Sequence, residues 1–168
     1  VWKVTRPCCR LGDGEASPDG ALGWCEPPIR PYARSVGPTD QIGLVWFRRD
    51  LRLDDNPAWA AATSERDFVV ALYVIDPRLM ATAGPFRRRQ LIANLQAFDY
   101  DLFERTGGRL VVRSGDPVDV VPETAARLGC GSAYWNSDVT PFATWRDTRV
   151  REALDLPVST FWGSLILP

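Results

Sequence analysis

The 168-residue chain predicts an α/β fold, a doubly wound five-stranded parallel sheet with helices on both faces. Three observations carry the expectation. Short, continuous apolar runs recur between residues 42 and 162, the pattern of strands buried on both sides. Helical stretches separate them, and connections of that length exclude hairpins and select parallel pairing. A polar residue followed by proline opens several of those stretches, and glycine closes others, as helix ends require.

The first run, Ile42-Gly43-Leu44-Val45-Trp46-Phe47, reads as a buried strand. Asn56-Pro57 supplies a cap and a proline at the first helical position, opening a short helix through Ala62. Phe68 to Ile75 is the second strand, rich in valine. A long helix begins around Pro85. Its apolar stripe, Leu91, Leu95, Phe98 and Leu102, advances by four, three and four residues before Gly107-Gly108 ends it. Arg109 to Arg113 is the third strand. Asp116-Pro117 starts a helix with Val121, Ala125 and Leu128 on its buried face, and Gly129 stops it. Ser132 to Trp135 is the fourth strand, Thr140-Pro141 opens a helix reaching about Leu154, and Val158 to Trp162 is the fifth strand. Right-handed crossovers then give the Rossmann-like order 3-2-1-4-5. Winding reverses between the first and fourth strands. A ligand crevice is therefore expected at their C-terminal ends, near Trp46 to Arg49 and Asn136 to Asp138.

Residues 1–40 read differently, with six prolines and no apolar periodicity. They are expected to be disordered, or a non-native extension, because so little apolar surface cannot offset ordering entropy. The folded domain is placed at 41–168. A net charge of −1 argues against binding nucleic acid through a general basic excess. Four cysteines (Cys8, Cys9, Cys25, Cys130) without a C-x-x-C pair, and no histidine, suggest free thiols and no metal site. Neither G-x-G-x-x-G, a P-loop nor a G-x-S-x-G elbow occurs, and the carboxylate pairs Asp54-Asp55 and Asp99 with Asp101 read as solvated charge. No catalytic residue is assigned. Absence of a long apolar run points to a cytoplasmic protein without a membrane partner.

The stretch from Val45 through Arg48-Arg49-Asp50-Leu51-Arg52 to Asn56-Pro57-Ala58 closely resembles the opening signature of the photolyase/cryptochrome family. The likeness continues through Val74-Ile75-Asp76-Pro77, Arg87 to Leu95, Arg113 to Pro117, Tyr134 to Asp138, Arg146-Asp147 and Phe161-Trp162-Gly163. It is closest in pattern to bacterial cyclobutane pyrimidine dimer photolyases. It implies the antenna-chromophore domain of a flavoprotein that repairs DNA with light. The alternatives are a photoreceptor fragment of cryptochrome type and a free-standing pigment- or nucleotide-binding module.

In that family the flavin adenine dinucleotide sits in a following helical domain, which also meets the DNA. That domain would lie beyond Pro168, so this chain, a monomer, is expected to be inactive alone and to have that domain as its partner. The resemblance assigns pigment contacts to Trp46, Phe47, Arg48, Ile75, Asp76, Arg87, Asn136 and Asp138. It favours an 8-hydroxy-5-deazaflavin over methenyltetrahydrofolate, since the folate pattern uses a histidine and an asparagine–glutamate pair that fall on no histidine and on Phe142-Ala143 here. Bland readings stand beside these: Trp46 and Trp135 as core, Asp138 as a helix-entry residue, Arg87 as a surface charge, and Arg48 to Arg52 as a loop pinned by ion pairs.

Overall fold

The structure, a computed structural model, describes residues 41–163, within the larger of two units of the chain, Gly37–Pro168. The stretch 1–40, with its expected disorder and three of the cysteines, lies outside the described residues. So do residues 164–168 at the chain end.

The elements run β1 (Ile42–Phe47), α1 (Pro57–Glu65), β2 (Phe68–Ile75), α2 (Pro77–Thr82) and α3 (Pro85–Thr106). Then come β3 (Val111–Ser114), α4 (Pro117–Leu128), β4 (Ser132–Asn136), α5 (Pro141–Ala153) and β5 (Val158–Phe161). The strands form one sheet in the order β3-β2-β1-β4-β5, and all four pairings are parallel. The doubly wound fold and its strand order are as the pattern predicts.

Period-two alternation along β1 divides the core between the two faces of the sheet. Leu44 and Trp46 join Leu72, Val121, Ala125, Trp135 and Val150, under α4 and α5. Val45 and Phe47 join Ala58 and Ala62 of α1 and Phe98 and Leu102 of α3 on the other face. Of the stripe on α3, Leu95, Phe98 and Leu102 are buried and Leu91 is half-buried.

Proline stands at the start of every helix among the described residues. Its fixed φ suits the first turn, where its missing N–H has no intrahelical acceptor. Asn56, Asp76 and Asp116 cap their helices by accepting from the N–H of Trp59, Arg78 and Val118 at 3.1, 2.9 and 3.1 Å. Two expectations need correction. Asp76-Pro77 carries the same cap-then-proline signal, and it opens a short helix, α2, that the sequence reading passes over. Thr140 makes no side-chain cap bond; instead its N–H donates to Asp138 Oδ1 at 3.0 Å, so the helix-entry carboxylate lies two residues earlier. Gly107 and Gly129 end α3 and α4 with φ of 72° and 66°, the left-handed backbone that disfavours a side chain.

Candidate functional site

At the C-terminal ends of β1 and β4, where winding reverses, a cleft of about 200 Å³ is lined by Arg48, Arg49, Asp50, Asn136, Ser137, Asp138, Val139 and Thr140. This is the crevice that doubly wound sheets are expected to open. Two connections build it. The chain leaving β1 turns on Asp50, whose Oδ1 accepts from the Arg48 N–H at 3.0 Å. The chain leaving β4 turns on Asp138.

Below the cleft lies a buried polar hub. The Asn136 side-chain amide donates to Asp50 Oδ2 and, at 2.9 Å, to Asn56 Oδ1, while Asn136 Oδ1 accepts from the Ala58 N–H at 3.2 Å. Asn56 Nδ2 donates in turn to the carbonyls of Asp50 and Arg52 at 3.2 and 3.1 Å. Among the described residues no buried side-chain N or O lacks a partner. The β1–α1 loop is thereby tied to β4 beneath the cleft.

The wall facing solvent carries the charge. Arg49 is 77% exposed and lies 3.6 Å from Asp138 Oδ2. Burial pushes the Asp138 carboxyl up, but the Thr140 N–H and the Arg49 and Arg48 charges outweigh it and hold it below the usual carboxylate value. Arg48 turns inward and pairs with Asp147 of α5.

Of the eight residues expected to contact a pigment, Arg48, Asn136 and Asp138 line the cleft. Trp46 and Phe47 are 1% and 0% exposed and point into opposite cores, so neither ring offers a ligand a face. Asp76 is buried as the cap of α2 and pairs with Arg78 at 2.7 Å; that hydrogen bond chiefly lowers its pKa. Ile75, half-buried at the end of β2, and Arg87, exposed on the first turn of α3, are not among the lining residues. Asp138 plays the bland part with one oxygen, in the turn, and faces Arg49 with the other. Arg49, Asp50, Ser137, Val139 and Thr140 complete the lining without being among the expected contacts. Their signal was their place beside the strand ends.

The donor set suits the edge of a flavin-like ring, which alternates carbonyl acceptors with an N–H donor. Arg49 can donate to a carbonyl, and the ionised Asp138 can accept from an N–H or hydroxyl. The volume is below the ~300–1,000 Å³ of sites that enclose a ligand. It is of a size to take one polar edge of a larger group, and Val139 on its wall is 60% exposed.

Residues 43–168 match the family model described as DNA photolyase. A deoxyribodipyrimidine photo-lyase of Thermus thermophilus is 41% identical over 125 residues, 74% of this chain and 29% of that protein. A cryptochrome DASH of Gloeobacter violaceus is 34% identical over 134 residues, 74% of this chain and 27% of that protein. Among solved structures, an archaeal photolyase from Sulfolobus tokodaii, described with two FAD molecules that imply a novel light-harvesting cofactor, superposes with a TM-score of 0.69 at 31% identity. It covers 76% of this chain and 30% of its own. A class III photolyase from Agrobacterium tumefaciens gives 0.67 at 31% identity, covering 77% and 27%. The chain spans less than a third of the length of these relatives and corresponds to their N-terminal domain.

Proposed function

The chain belongs to the DNA photolyase family, and on that premise we propose that residues 41–163 form the antenna domain of a light-dependent DNA-repair enzyme. One edge of a light-harvesting pigment would sit in the cleft between β1 and β4. The observation that carries the reading is the pairing of Arg49 with an ionised Asp138 at the topological switch point, above a floor whose buried side-chain polar atoms all have partners.

A bound pigment would supply the absorption of light and the transfer of excitation to a flavin elsewhere in the protein. The chain's own residues bind and orient. Asp138 accepts a proton-bearing edge, Arg49 neutralises a carbonyl or an ionised hydroxyl, and the Asn136 hub keeps the two loops from drifting apart. An 8-hydroxy-5-deazaflavin fits this donor set better than methenyltetrahydrofolate. The folate pattern's histidine has no counterpart, and its polar pair falls on Phe142 and Ala143. The same reading places the protein in the cytoplasm as a monomer, with DNA contacted through a flavin-bearing helical domain rather than through this one. Titrating the purified chain with 8-hydroxy-5-deazariboflavin should shift the pigment's absorbance, and Asp138→Ala should weaken binding about tenfold, or ~1.4 kcal/mol. A dissociation constant above about 1 mM for the unaltered chain would sink the assignment.

A photoreceptor is the second reading, favoured by the cryptochrome DASH relative. Repair of a thymine dimer by the flavin-loaded, full-length protein under blue light would separate the two.

A further inference from the structure

Beneath the cleft wall, Trp46 and Trp135 meet edge to face with ring centroids 5.5 Å apart, both 1% exposed. Two cations lie over Trp46. The guanidinium carbons of Arg48 and Arg146 each lie 5.0 Å from the Trp46 centroid. Asp147 serves both, pairing with Arg48 through Oδ2 and accepting from Arg146 through Oδ1 at 2.9 and 3.1 Å. The side chains of Arg48, Asp147 and Arg146 are only 10%, 14% and 10% exposed.

Two guanidiniums lie nearly dry against the indole itself; they share Asp147, and the Asp76 and Asp138 carboxylates act on Arg146 and Arg48 from farther off. Packing alone does not call for that arrangement, since burying charge is costly even when it is paired and an apolar side chain would fill the space. The charge does one specific thing. It opposes the loss of an electron from the ring, because an oxidised indole would be a second positive charge about 5 Å away in a weakly screening medium.

We infer that Arg146 and Arg48 guard Trp46 against oxidation by a pigment excited in the adjacent cleft. The inference rests on the pigment reading above. Trp46 lies two residues before Arg48, and Trp135 one before Asn136; both followers line the cleft. In the suppressed step one electron passes from the indole, which is oxidised, to the excited pigment, which is reduced. The electron then returns in the dark, so the only net loss is excitation that an antenna must hand on. An unguarded tryptophan pair would drain it.

The test uses the whole chain loaded with 8-hydroxy-5-deazariboflavin, reading both affinity and fluorescence lifetime. Neither Arg146 nor Asp147 lines the cleft, so affinity should hold in their variants. Arg146→Gln leaves Arg48 and Asp147 as a neutral pair, and quenching should quicken roughly tenfold, the effect of one charge at this range. Arg146→Lys keeps the charge and the lifetime, Asp147→Asn does not shorten it, and Trp46→Phe placed on Arg146→Gln restores it. Trp46→Phe alone tests the idea without touching the arginines: a guarded indole does not quench, so the lifetime stays put. An unchanged lifetime in Arg146→Gln, a shortening that survives Trp46→Phe, or a severalfold lengthening by Trp46→Phe alone each overturns the guard and leaves the pigment site standing. Failure of the unaltered chain to bind pigment overturns the pigment reading, and the guard falls with it.

Discussion

Asn136 joins three parts of the chain through one side chain: the β1–α1 loop at Asp50, the cap of α1 at Asn56, and the first turn of α1 at Ala58. A Cβ placed on Gly163, where the chain leaves β5, would come within 2.5 Å of the Asn136 side chain, so only glycine fits there. Removing the amide strips a buried carboxylate of a donor. Asn136→Ala should therefore cost about 2–3 kcal/mol, because an unsatisfied buried polar group loses its full desolvation energy. Urea denaturation of the purified chain measures this; a loss below about 0.5 kcal/mol, typical of surface changes, would show that the hub is not needed. The family resemblance implies a pigment contact for Asn136. Its position at a strand end was visible in the sequence. Its partners, 86 and 80 positions away, were not, since which side chains meet at the end of β4 depends on the path of the β1–α1 loop over it.

At the scale of elements, the helix starts were the most legible part. A capping side chain and a proline act within three residues, so Asn56-Pro57 and Asp116-Pro117 mark their helices without help from the rest of the fold. Asp116 also meets Arg78 at 2.9 Å, linking α4 to α2. Asp116→Ala should destabilise the chain by about 1–2 kcal/mol, the loss of a cap together with a partly exposed ion pair. Equilibrium unfolding should show a lower midpoint with an unchanged slope, and a changed slope would point instead to altered compactness. The same local signal stands at Asp76-Pro77, where only the family likeness points Asp76 toward the crevice. Its side chain is spent on α2 and Arg78.

For the whole molecule, Asp76 and Asp138 are both held below the ordinary carboxylate value of 3.8. Asp76 is lowered chiefly by its hydrogen bond to Arg78, while at Asp138 the Thr140 N–H and two arginines overcome burial. A depressed folded-state pKa means that the unfolded chain binds the proton first. The stabilisation is then fully present above about pH 4 and is lost as pH falls through the lower folded-state values. Unfolding midpoints should be insensitive to these two groups between about pH 5 and 7 and should fall on acidification below about pH 4. Asp76→Asn should flatten part of that fall, and an unaltered acid limb in the variant would refute the linkage.

By itself the sequence determined the five strands, their parallel pairing in the order 3-2-1-4-5, the two-sided core and the family. Each of these rests on short-range periodicity, caps or a contiguous signature, which survive without knowledge of distant partners. Tertiary structure alone decided which residues near the switch point reach the cleft. Side chains alternate across a strand, so Trp46 and Phe47 turn into opposite cores, and the β1–α1 loop puts Arg49 against Asp138. Burial on two faces took the aromatic rings away from any ligand, and the charged loops that followed them were left to form the site.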